Sequence, residues 1–191
     1  LSAYWHHDGA ASAIDSSGKD SDMLTIVRGI DRLSQGVGVT VRWFFAAAMV
    51  ISAGNAISRR VFGASSNAFL ELQWYLFAAA VLLGASYVLL KDAHVRVDFI
   101  SSKLSPRTNA VFDALALMLV AISFCVMLIK YSWPMFEIAW RTGERSSNAG
   151  GLIRWPVLLC LPVGFGLLLL QACAETVKRI ALIAGHGGTD D

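Results

Sequence analysis

Nineteen consecutive residues, Leu72–Leu90, carry no formal charge. In a helix rising ~1.5 Å per residue, such a run measures about 28 Å, close to the hydrocarbon thickness of a bilayer. A run of that length and character predicts a membrane-spanning helix. It ends abruptly: Lys91, Asp92, His94, Arg96 and Asp98 alternate with Ala93, Val95, Val97 and Phe99. The span therefore leaves the membrane into a charged, patterned turn. Three more apolar runs repeat the design, at residues 37–57, 110–129 and 152–174.

Composition supports an integral membrane protein. Only 16% of the 191 residues are charged and 55% are hydrophobic, with a mean hydropathy of +0.56, whereas a soluble domain is about one quarter charged. The charges gather in the gaps between apolar runs. The fold class expected is therefore an all-α membrane protein of four transmembrane helices with short interfacial or amphipathic helices. The net charge of +2 is too small to argue for nucleic acid. Cys125, Cys160 and Cys173 lie inside apolar segments without CxxC spacing, so they read as packing residues rather than a metal site or disulfide framework.

Residues 1–22 are polar and small, and read as a disordered tail. Residues 23–179 form the membrane domain, and residues 180–191 form a second tail. Leu24, Ile26, Val27, Ile30 and Leu33 recur at roughly helical spacing. That segment reads either as an amphipathic helix on the membrane surface or as the soluble start of the first span. Arg42 falls about one and a half turns into the first span, either anchored at the interface with Trp43 or paired inside the bundle. Asp113 lies about one turn into the third span and is the candidate partner of Arg42, because opposite charges at similar depth in lipid gain by pairing. Glu71 opens the second span, where an acid suits a helix N-terminus. Gly84, Ala85 and Ser86 form a small-residue patch that lets another helix approach. Ser105 and Pro106 suit the start of the third helix. Trp133, Pro134, Phe136, Ile138 and Trp140 place the first half of the next connection at the interface, as a short lateral helix. Pro162 and Gly164 suggest a kink in the fourth span.

Four spans put both termini on one side. Nine lysines and arginines fall in the first tail, the lead-in, the 91–109 connection and the exit of the fourth span, against six in the other two connections. The bias puts the termini and the patterned turn in the cytoplasm. The chemistry of an enzyme is missing. No histidine lies in a span, as a haem anchor requires, and the first span has no deep acid of the kind a four-span exporter uses. The residues alone support a four-span scaffold or accessory protein, with no catalytic, cofactor or metal site of its own and membrane lipids as surroundings. The alternative is a four-helix membrane anchor of a redox enzyme.

Three segments in order carry a further signal: ELQWYLFAAAVLLGASYVLLKDAHVRVDFISSKLSPR, then WRTGERS, then RWPVLLCLPVGFGLLLLQ. Together they resemble the small membrane subunit of tripartite ATP-independent periplasmic (TRAP) transporters, the DctQ-like family, over about residues 31–179. The resemblance implies an inner-membrane subunit that works with two partners, a large DctM-like membrane subunit and a periplasmic solute-binding protein. It implies sodium-coupled import of an organic anion, often a carboxylate, with sodium held on the large subunit. It also implies that the small subunit is a fixed scaffold, bracing the large one while the transport domain of that subunit moves like an elevator. Glu71, Gly84, His94, Arg96 and Asp98 are the candidate structural or partner-interface residues. In the turn, Arg96 is suited to a forked bond with a carboxylate, and Asp98 to directing it.

Overall fold

The computed structural model describes residues 18–63, 66–91, 106–148 and 150–185. The described residues form helices throughout, apart from short connections. Helix α1 is Gly18–Phe62, α2 is Asn67–Leu90, α3 is Pro106–Ala116, α4 is Ser123–Thr142 and α5 is Trp155–Gly185. A π-helical segment, Leu117–Ile122, joins α3 to α4 without a break. Four stretches are long and apolar enough to span a membrane: Thr25–Phe62, Asn67–Leu90, Ala114–Thr142 and Trp155–Ala181.

Helix α1 decides between the two readings of the lead-in. It runs unbroken for 45 residues, about 68 Å, so the amphipathic segment is the start of the first span and not a separate surface helix. The helix is already formed at Gly18. Helix α4 also continues past Ile129 to Thr142. The aromatic stretch from Trp133 to Trp140 is therefore an extension of the third span and not a lateral helix. Its physical reason is a continuous inner face: Cys125, Ser132 and Ala139 recur every seven residues and are all buried. Gly143 ends α4 with a left-handed φ of 62°, a conformation glycine adopts without steric cost.

Helices α1 and α2 run antiparallel. The Cα of Gly38 faces the ring of Tyr87, and Gly84 faces Val41, so a Cβ on Gly84 would meet Val41 Cγ1 at 3.3 Å. Phe45 and Phe77 add an edge-to-face ring pair at 5.7 Å. Helices α2 and α5 run parallel and meet through the backbone: a Cβ on Gly164 would lie 2.7 Å from the carbonyl oxygen of Leu82. In lipid, association depends on such close packing, because lipid tails are as apolar as the side chains. Pro162 lies inside α5, which continues as helix through it. Helix α5 also packs against α3, the π-helical segment and α4. It is the helix on which the others converge.

Candidate functional site

Two polar clusters tie the bundle together, one at each end. At the end where the chain connects α4 to α5, residues 144–148 and 150–154 pair as the two arms of a small hairpin. The backbone N–H of Ser146 donates to Leu152 O at 3.0 Å, and that of Arg154 donates to Glu144 O at 3.0 Å. Gly151 is needed here, because a Cβ would lie 2.5 Å from Ser146 O. The hairpin closes over Glu71, the first acid of α2. Asn148 Nδ2 donates to one carboxylate oxygen at 2.7 Å, and the backbone N–H of Leu152 donates to the other at 2.8 Å. Arg154 pairs with Glu144 beside it, and Trp140 packs edge-to-face on Trp155 at 4.6 Å across the base of the hairpin. Glu71 is buried, and because α2 begins at Asn67 it stands in the second turn, past the first turn where an acid meets the helix dipole. Its role is therefore not the favourable dipole expected from sequence: a carboxylate accepting an N–H bond on each oxygen is a charge-assisted latch.

At the other end, where the chain enters α1 and leaves α5, Ser34 Oγ donates to Gln171 Oε1 at 2.8 Å. Gln171 Nε2 donates to Asp31 Oδ1 at 2.9 Å and to Glu175 Oε1 at 3.2 Å. Lys178 Nζ bridges the same two carboxylates, at 2.9 Å and 2.8 Å. Ser34 and Gln171 are fully buried. Polar groups cut off from water are costly unless each finds a partner. Among the described residues, no buried side-chain nitrogen or oxygen lacks one. This cluster was not anticipated. Its one sequence signal is Gln171 itself, an amide interrupting the apolar run LLLLQACA.

The sequence-derived candidates fall out as follows. Glu71 lies in the hairpin latch, and Gly84 packs against α1 of the same chain. His94, Arg96 and Asp98 lie outside the described residues. The side chain of Asp113 does too, so the Arg42–Asp113 pair falls outside them. Arg42 itself is exposed on the outside of α1.

An open groove of about 620 Å³ runs between α2, α5 and the hairpin, lined by Leu72, Tyr75, Leu76, Ala79, Val157 and Cys160, with Arg145 at its hairpin end. Its walls are almost wholly apolar, and Arg145 is the one charged residue among those that line it. Among the described residues, no group of three or more His, Cys, Asp or Glu side chains is placed to hold a metal ion.

Residues 48–182 match the family model described as "Tripartite ATP-independent periplasmic transporters, DctQ component". The chain is also 26% identical over 180 residues to the C4-dicarboxylate TRAP transporter small permease protein DctQ of Vibrio cholerae serotype O1, covering 79% of this chain and 76% of that protein. The family match takes in the whole Glu71 latch and the α5 half of the Gln171 cluster. A multi-pass helical bundle that spends its buried polar groups on its own cohesion, with this match over most of its length, belongs to the DctQ family as the small permease subunit of a TRAP transporter.

Proposed function

We propose that this chain is the fixed scaffold of a sodium-coupled, binding-protein-dependent importer of an organic anion, and that it braces the large transport subunit. Family membership implies a transporter complex containing a large membrane subunit and a binding protein. The observation that carries the bracing reading is the pair of polar locks. Glu71 at one end and Gln171 at the other hold α1, α2 and α5 in one arrangement, and they leave no unpaired buried side-chain group among the described residues to receive a solute. A subunit built this way supplies rigidity, while substrate and sodium chemistry reside on the large partner. A C4-dicarboxylate is the first solute to test, because the Vibrio cholerae relative is named for that class.

The bundle sits in the bacterial inner membrane with both termini cytoplasmic, the orientation favoured by the distribution of lysine and arginine. In that orientation the turn carrying His94, Arg96 and Asp98 is cytoplasmic. Arg96 and Asp98 lock the corner between the second and third spans and help to seat the subunit on its partner. The test is reconstitution. The large subunit, binding protein and this chain together in proteoliposomes take up labelled C4-dicarboxylate under a sodium gradient, and omission of this chain abolishes uptake. Undiminished uptake without it would refute the scaffold role.

A further inference from the structure

Helix α1 has one face turned to α2 and α5 and one turned away. Ser34, Val41 and Ala48 are buried on the first. On the second, Val39, Arg42, Trp43, Ala46, Met49 and Val50 recur at the three- and four-residue spacing of a single helix face, and all are exposed. Trp43, Met49 and Val50 are about seven-tenths exposed, at 72%, 69% and 72%. Among the described residues Arg42 forms no ion pair.

The depth of Arg42 is fixed by its neighbours. Val41 packs on Gly84, thirteen residues along α2 from Glu71, so the hairpin latch lies about 20 Å away along the bundle. Asp31 is eleven residues back along α1, so the other polar cluster lies about 16 Å away. Lys91, the first charge after α2, is about 10 Å distant on the same count. Arg42 is thus held between the two polar ends of the bundle, on an apolar outer face. An arginine facing hydrocarbon at such a depth is unfavourable unless a counter-charge or water meets it.

We propose that this face of α1 docks against a membrane helix of the large transport subunit that presents an aspartate or glutamate level with Arg42. The proposal rests on the bracing reading above and adds the contact surface and the chemistry of the partner. The guanidinium forks onto the carboxylate in two hydrogen bonds. Trp43 and Met49 pack around the pair and exclude lipid, and Ala46 lets the partner backbone approach.

The experiment uses membranes that produce both subunits, with a tag on this chain. After detergent extraction, Arg42→Gln is expected to retain about one tenth or less of the large subunit recovered with the wild type, as loss of one member of a buried charge pair entails. Arg42→Lys, which keeps the charge but loses the fork, retains an intermediate amount. The melting temperature of the isolated chain in detergent stays unchanged in both variants. A benzoylphenylalanine in place of Trp43 or Val50 cross-links to the large subunit in intact membranes. Wild-type recovery by Arg42→Gln, or no cross-link from either position, overturns the proposal. So does a matching fall in the melting temperature of isolated Arg42→Gln, which would place the counter-charge within this chain. Failure of the wild-type chain to recover any large subunit overturns the bracing reading itself.

Discussion

Ser34 and Gln171 stand 137 positions apart, yet they share a 2.8 Å hydrogen bond with both side chains fully buried. That bond joins the first helix to the last and sits above the ion pairs of Asp31 and Glu175 with Lys178. In water the same bond would count for little. Inside a bundle surrounded by lipid, its loss leaves the partner group with nowhere to turn.

The Ser34–Gln171 bond is therefore expected to be coupled. Ser34→Ala and Gln171→Leu each lower the stability of the isolated subunit in detergent. The double variant loses less than the sum, by about 0.6–1.7 kcal/mol, the range of hydrogen bonds measured between membrane helices. Thermal unfolding of the four chains checks this, and additive losses would show that the two side chains act independently.

The Lys178 bridge makes a prediction of opposite form. Lys178→Met leaves Asp31 and Glu175 facing one another without their shared cation, and lowers the unfolding temperature. Adding Asp31→Asn to it removes one of the like charges and restores part of the loss. The side chains keep 11–20% of their exposure, so each effect is smaller than at a fully buried pair. If Asp31→Asn deepens the loss instead, the cluster is not balanced by charge.

Close helix contacts separate two glycines. Gly164→Ala places a methyl against the backbone of Leu82, which has no room to yield, and costs about 1–3 kcal/mol as overpacking does. Gly84→Ala meets only the side chain of Val41, at 3.3 Å, so a shift of a few tenths of an ångström relieves it and it costs less than Gly164→Ala, whereas Gly84→Leu drives α1 from α2 and weakens folding. Comparable unfolding temperatures for Gly164→Ala and Gly84→Ala would contradict the packing described.

The hairpin latch is tested by proteolysis. Glu71→Gln replaces one acceptor oxygen with an N–H donor, which then opposes the donors that held it. Trypsin is expected to cut after Arg145 several-fold faster in the variant than in the wild type, with the helical circular dichroism retained. Equal cutting rates would mean that the hairpin holds itself without Glu71.

The four spans were legible because an apolar run of membrane length with at most one charge has few folding options. What stayed hidden depends on distance or on ambiguous signals. The lead-in pattern of Leu24 to Leu33 serves a surface helix and a continued span equally well, and only the unbroken path through Gly36 and Gly38 distinguishes them. Trp133 and Trp140 look interfacial by residue type, while the buried series Cys125, Ser132 and Ala139 shows the helix running on. Leu117–Ile122 is uniformly apolar, so nothing in it marks the π-helical segment. Glu71 reads from sequence as a helix-start acid, but α2 begins at Asn67, and the partners that hold Glu71, Asn148 and Leu152, lie 77 and 81 residues later. Gln171 was the missed clue: a lone amide in a spanning run has to find a partner on another helix.

The central claim is that this subunit holds one shape while its partner moves. Spin labels at Val61→Cys and Ile180→Cys, on exposed positions of α1 and α5, report it in a chain whose Cys125, Cys160 and Cys173 are changed to alanine. The distance between them is measured by pulsed electron resonance in the complete complex, first without sodium and then with sodium, binding protein and solute. A fixed brace predicts one narrow distance distribution that is the same in both states. A second distance, or a shift of the mean on adding sodium and solute, would contradict the account.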